Sequence, residues 1–92
     1  MLTGKYSGGA KPDGARFSRY LAMEGRQAAM GRRFVNDKSI ASTERFAAIA
    51  AEAGMSAATM AVAWSKQHDF VASTIVGVSA YDQVDPILDA ME

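Results

Sequence analysis

Apolar positions along this chain organise its second half far better than its first. From Lys38 to Ala53, Phe46, Ile49, Ala50 and Ala53 recur at helical spacing, and Gly54 stands where a C′ glycine stops a helix. The next helix opens with Ser56 as N-cap, with Met55 before it and Met60 at the fourth helical position placed to form a hydrophobic staple. Met60, Ala63, Trp64 and Gln67 then share one stripe, and Trp64 and the spaced methionines are expected in the core. Phe70 to Val76 is an apolar or small run without clean alternation, the pattern of a strand covered on both faces. The run stops at Gly77, and Ser79-x-x-Asp82 reads as a capping box opening a helix. Pro86 breaks that helix and starts another, with Asp85 as its cap and Ile87, Leu88 and Met91 following.

Before Lys38 the pattern weakens. Residues 1–16 hold four glycines (Gly4, Gly8, Gly9, Gly14) and Pro12, and are expected to be loop. Residues 17–37 carry scattered apolar positions interrupted by Gly25 and Gly31, read as a long ordered loop with a helical stretch. The expected order is loop, helix, helix, one strand, helix. A buried parallel strand needs neighbours on both sides, and none is found here. The pattern therefore suggests either a helical chain with an odd β tail or strand neighbours in residues it lacks, and favours the second.

Composition narrows the class. Ninety-two residues with 49% hydrophobic and 22% charged is one small globular domain or a piece of a larger one. No cysteine is present, which excludes disulfides and thiolate metal sites. No apolar run reaches the roughly 20 residues needed to cross a bilayer, and the expected location is cytoplasmic. The net charge of zero divides unevenly: residues 1–45 hold nine basic and four acidic side chains, whereas 46–92 hold Lys66 against six acids. A basic half can attract nucleic acid or another anion, but two solvated faces explain the division more simply, and no nucleic-acid role is expected.

Candidate chemistry is sparse. His68 stands alone at a helix end, where it suits the dipole, and no His/Asp/Glu cluster has metal-ligand spacing. No catalytic residue and no metal site is assigned. Anion binding has more support. Lys5 and Arg16 flank a glycine-rich loop, and Ser79 offers a hydroxyl and neighbouring N–H groups beyond the end of a strand.

The two ends together resemble a family. Leu2-Thr3-Gly4-Lys5-Tyr6, then Gly9-Ala10-Lys11-Pro12 and Gly14-Ala15-Arg16, resemble the loop after the seventh barrel strand of aldo-keto reductases. Ile49-Ala50-Ala51-Glu52-Ala53-Gly54 and Ala61-Val62-Ala63-Trp64 look like the helices that follow. Ser73-Thr74-Ile75-Val76-Gly77-Val78-Ser79 with Gln83 resembles the eighth strand and its helix. The similarity is strongest to the bacterial NADP(H)-dependent branch related to potassium-channel β subunits.

That resemblance implies a parent (β/α)8 TIM barrel of α/β class that moves hydride between NADPH and a carbonyl. This chain would be its C-terminal part, mainly α-helical with one short strand: residues 1–37 a cofactor loop and irregular segment, 38–92 helix–helix–strand–helix. By resemblance Lys5 and Arg16 approach the cofactor phosphates, while Gly77, Ser79 and Gln83 hold the adenosine 2′-phosphate end of NADP(H). Two positions depart, since Pro86 and Ile87 stand where many relatives carry Glu and Asn. The family's catalytic Asp, Tyr, Lys and His lie in the first half of the barrel, so the resemblance implies an inactive portion. The alternative reading is a stand-alone helical module that self-associates through apolar surface a barrel would cover.

Overall fold

The computed structural model describes residues 1–92, whose chain divides into two compact units, Met1–Phe46 and Ala47–Glu92. Five α-helices form: α1 (Arg16–Leu21), α2 (Gly25–Phe34), α3 (Asp37–Glu52), α4 (Ala57–Lys66) and α5 (Asp85–Asp89). Short 3-10 turns occupy Ser7–Gly9 and Tyr81–Gln83. The unit boundary falls inside α3, between Phe46 and Ala47.

In the first unit, α1 and α2 pack against each other. Phe17 stacks on Phe34 with ring centroids 5.2 Å apart, and Tyr6 closes the same cluster from the preceding loop, 5.7 Å from Phe17. Gly31 lies inside α2 and is buried. A Cβ there would stand 3.1 Å from the Leu21 side chain and 3.3 Å from its backbone nitrogen. Its lack of a side chain therefore serves close helix packing. The helical stretch expected within a loop over 17–37 is in fact two helices, α1 and α2, because the apparent breaker Gly31 is a packing position.

Helix α3 starts with a reciprocal cap. The Ser39 N–H donates to Asn36 Oδ1 at 3.0 Å, and the Asn36 N–H donates to Ser39 Oγ at 3.1 Å. It ends in a Schellman arrangement, with Met55 N–H donating to Ala50 O and Gly54 N–H to Ala51 O, both at 3.0 Å. Gly54 takes φ 73°, the left-handed conformation that this closure requires.

The second unit rests on thinner packing. Ser56 caps α4 as expected, its Oγ accepting the Thr59 N–H at 3.0 Å. The covered positions are Ala50, Thr59 and Ala90, and no large side chain is fully enclosed anywhere in the chain. Trp64, expected in the core, is 59% exposed. It meets His68 edge-on at 4.6 Å, and His68 stacks on Phe70 at 5.1 Å. His68 is thus a packed aromatic neighbour rather than a surface cap.

The expected strand is absent. Residues Val71–Val78 run without regular structure, and Ile75 is 96% exposed. A strand is defined by its pairing, and no other segment of this chain lies beside it to pair. One side-chain tether remains, the Ser65 and Thr74 hydroxyls bonded at 2.7 Å. After it, α5 begins one residue earlier than expected: Asp85 is its first residue rather than its cap, and no side chain caps the N-terminus.

Candidate functional site

The basic candidates belong to the first unit. Ala15 is extended and Arg16 opens α1, so Arg16 stands at the junction of loop and helix. Tyr6 is 3% exposed, and its Oη accepts the Phe17 N–H at 3.0 Å. This one clamp fixes Lys5 on one side and Arg16 on the other by their sequence neighbours, while both cations stay exposed. Burial, and then the nearby Lys5 cation, hold the Met1 α-amino group below its ordinary pKa.

The intervening loop is held at Gly8, whose N–H donates to Glu44 Oε1 on α3 at 3.1 Å. Gly8 adopts φ 64°, which a side chain would strain. Tyr6 and Glu44 are the positioning residues that the sequence reading passed over. The signal for Tyr6 was available: an isolated aromatic in a glycine-rich loop has few reasons to be there except anchoring.

The second set lies in the other unit. Here the structure departs from the expected capping box. Ser79 does not cap a helix toward Asp82; its N–H donates to Gln83 Oε1 at 2.9 Å, and its Oγ approaches the same oxygen at 3.5 Å. The turn that follows, Tyr81–Gln83, is three residues long, too short for a helix dipole to develop. Ser79 and Gln83 are therefore brought together, by direct contact, in a loop. Gly77 is exposed, and a Cβ on it would meet nothing within 4 Å. Its own fold does not require glycine, so the open space beside it is available to an approaching group.

A shallow cavity of about 240 Å³ is lined by Val78, Ser79, Ala80, Tyr81 and Val84. Small-molecule pockets ordinarily run from about 300 to 1,000 Å³, so this hollow is smaller than most. Its polar side chains are the hydroxyls of Ser79 and Tyr81, while Gln83 stands beside Ser79 and holds its N–H.

The model of the aldo/keto reductase family matches residues 1–92, and the chain belongs to that family. The protein Tas of Escherichia coli strain K12 is 37% identical over 93 residues, covering 98% of this chain and 24% of the relative. Tas of Shigella flexneri matches with the same identity and coverage. The chain thus spans about a quarter of the length of these curated relatives. No single helix is long and apolar enough to cross a membrane.

Proposed function

We propose that this chain is the C-terminal portion of a (β/α)8-barrel NADP(H)-dependent aldo-keto reductase, contributing cofactor-phosphate contacts and no catalytic residue. The observation that carries the reading is the family match along all 92 residues, in a chain spanning 24% of its relatives. NADPH, when bound, supplies the hydride that reduces a carbonyl. The residues here bind and orient. Lys5 and Arg16 offer charge-assisted bonds to phosphate oxygens from either side of the Tyr6 clamp. Ser79 and Gln83 offer a hydroxyl and an amide to the adenosine 2′-phosphate end, with Gly77 leaving room for close approach. Pro86 and Ile87 supply no polar side chain to that end, so discrimination for the 2′-phosphate falls on Ser79 and Gln83.

Titration of the chain with NADPH and with NADH, followed by nucleotide fluorescence, tests the reading. Tighter binding of NADPH is expected, with Lys5→Ala or Arg16→Ala each weakening it about tenfold, the cost of one hydrogen bond to a charged group. Equal affinities for the two nucleotides, unmoved by either substitution, would remove the proposed phosphate site.

A second reading is favoured by one observation. Trp64, Phe70, Ile75, Val78 and Tyr81 all leave large apolar surface exposed within the second unit. Such surface suits an interaction or oligomerisation module without enzymatic activity.

A further inference from the structure

We infer that Glu44 is a positioning residue for Lys5: its carboxylate, carried on α3, holds the Gly8 turn in the conformation from which Lys5 meets a nucleotide phosphate. The Gly8 N–H donates to Glu44 Oε1 at 3.1 Å, across 36 positions of sequence. The main-chain bonds of this loop are local. Gly4 N–H donates to Met1 O, Ser7 N–H to Gly4 O, Gly9 N–H to Tyr6 O and Ala10 N–H to Ser7 O, at 2.9–3.2 Å. They overlap from Met1 to Ala10, so the backbone at Lys5 and at Gly8 belongs to one bonded run. The Tyr6 hydroxyl ties that run to α1, and the Glu44 carboxylate ties it to α3. Two anchors on different helices fix an orientation that one would leave as a hinge. Gly4, Gly8 and Gly9 all take left-handed φ, at 81°, 64° and 78°. Glycine loses more backbone freedom on ordering than any other residue, and an anchor made beforehand removes that cost from binding.

Charge alone would give Glu44 the opposite role. A carboxylate in the unit that carries Lys5 and Arg16 opposes an anion there, so deleting it would tighten phosphate binding if only Coulomb energy mattered. Anchoring predicts a loss instead, and the two effects differ in sign. They also separate chemically. Glu44→Gln keeps a carbonyl oxygen to accept the Gly8 N–H while removing the charge. Glu44→Ala removes both, at an exposed helical position where Ala sustains the helix at least as well as Glu. A weakened α3 would therefore not explain a change in binding. The inference rests on the cofactor role proposed above.

NADPH titration of the full chain, with nitrogen relaxation of the Gly8 and Gly9 amides in the unliganded protein, tests it. Glu44→Ala is expected to weaken NADPH binding about tenfold, and Glu44→Gln to restore most of the loss. The order parameters of Gly8 and Gly9 should fall below about 0.6 in Glu44→Ala, while the urea unfolding midpoint stays near that of wild type. In a Lys5→Ala background, Glu44→Ala should cost far less, since the residue through which it acts is gone. Binding that is unchanged or tighter in Glu44→Ala, losses that simply add with Lys5→Ala, or undiminished order at Gly8 would overturn the inference and leave the cofactor role standing. A wild-type chain that binds no NADPH would remove the cofactor role itself, and this inference with it.

Discussion

At the scale of single residues, Gly31 and Tyr6 carry more of the first unit than their size suggests. Replacing Gly31 by Ala has two opposed effects. Helix propensity gains up to about 1 kcal/mol, while overpacking costs about 1–3 kcal/mol. The Leu21 side chain can shift by a few tenths of an ångström, but its backbone nitrogen, 3.3 Å from the new Cβ, is held by the helix. Overpacking wins, and Gly31→Ala is expected to lower stability by about 1 kcal/mol in urea unfolding. A stabilised variant would mean that α1 and α2 are not locked together. Tyr6→Phe keeps the ring contact with Phe17 and deletes only the oxygen that accepts its N–H. That partly buried donor is left unmet, at a cost of about 1–2 kcal/mol. Because the clamp lies between Lys5 and Arg16, the same substitution is expected to weaken NADPH binding, read by titration.

At the scale of elements, the helices differ in what holds them. Helix α4 depends on its cap: Ser56 Oγ accepts the Thr59 N–H at 3.0 Å and shares a hydroxyl bond of 2.7 Å with Thr59. Ser56→Ala should cost about 1 kcal/mol, a fall of several degrees in midpoint for a chain of this size. Ser56→Asp, which keeps an acceptor at the helix N-terminus, should restore most of it. A Ser56→Ala variant melting like wild type would show that α4 is held by packing instead.

These punctuated elements were legible in the sequence because their signals are local. Gly54 closes α3 and Ser56 opens α4 whatever surrounds them. The first-half helices were not legible, since Gly31 looks identical in sequence whether it breaks a helix or admits a neighbour. Residues 71–76 misled in the opposite sense. Their apolar continuity reads as that of a strand covered on two faces, and pairing is a property that one isolated run cannot supply. The same gap affects the candidate site. Lys5, Arg16 and Ser79 were readable as anion-compatible, with Gly77 and Gln83 added by the family resemblance, but the Ser79–Gln83 contact replaced the expected capping box because no regular helix follows to be capped.

At the scale of the whole molecule, two facts belong together. The chain matches an aldo/keto reductase family model along its full length while spanning 24% of curated relatives. It also leaves Phe70, Ile75, Tyr81 and Met91 open to solvent and encloses no large side chain fully. Helices that keep their caps while an apolar run stays unpaired are what a portion of a larger sheet-centred fold would look like alone. A core this small leaves stability marginal, so a ligand that binds the folded chain should register clearly as a shift in melting.

The most direct test of the account is a thermal melt of the 92-residue chain, alone and with saturating NADPH or NADH. The account predicts that NADPH at a hundredfold excess over its dissociation constant stabilises the folded chain by about 2–3 kcal/mol over the unliganded chain, and that NADH at the same concentration stabilises it less. It further predicts that the NADPH shift shrinks when Lys5 and Arg16 are both replaced by Ala. Identical midpoints in all three conditions would contradict it, and would leave the family resemblance without a cofactor-binding role in this chain.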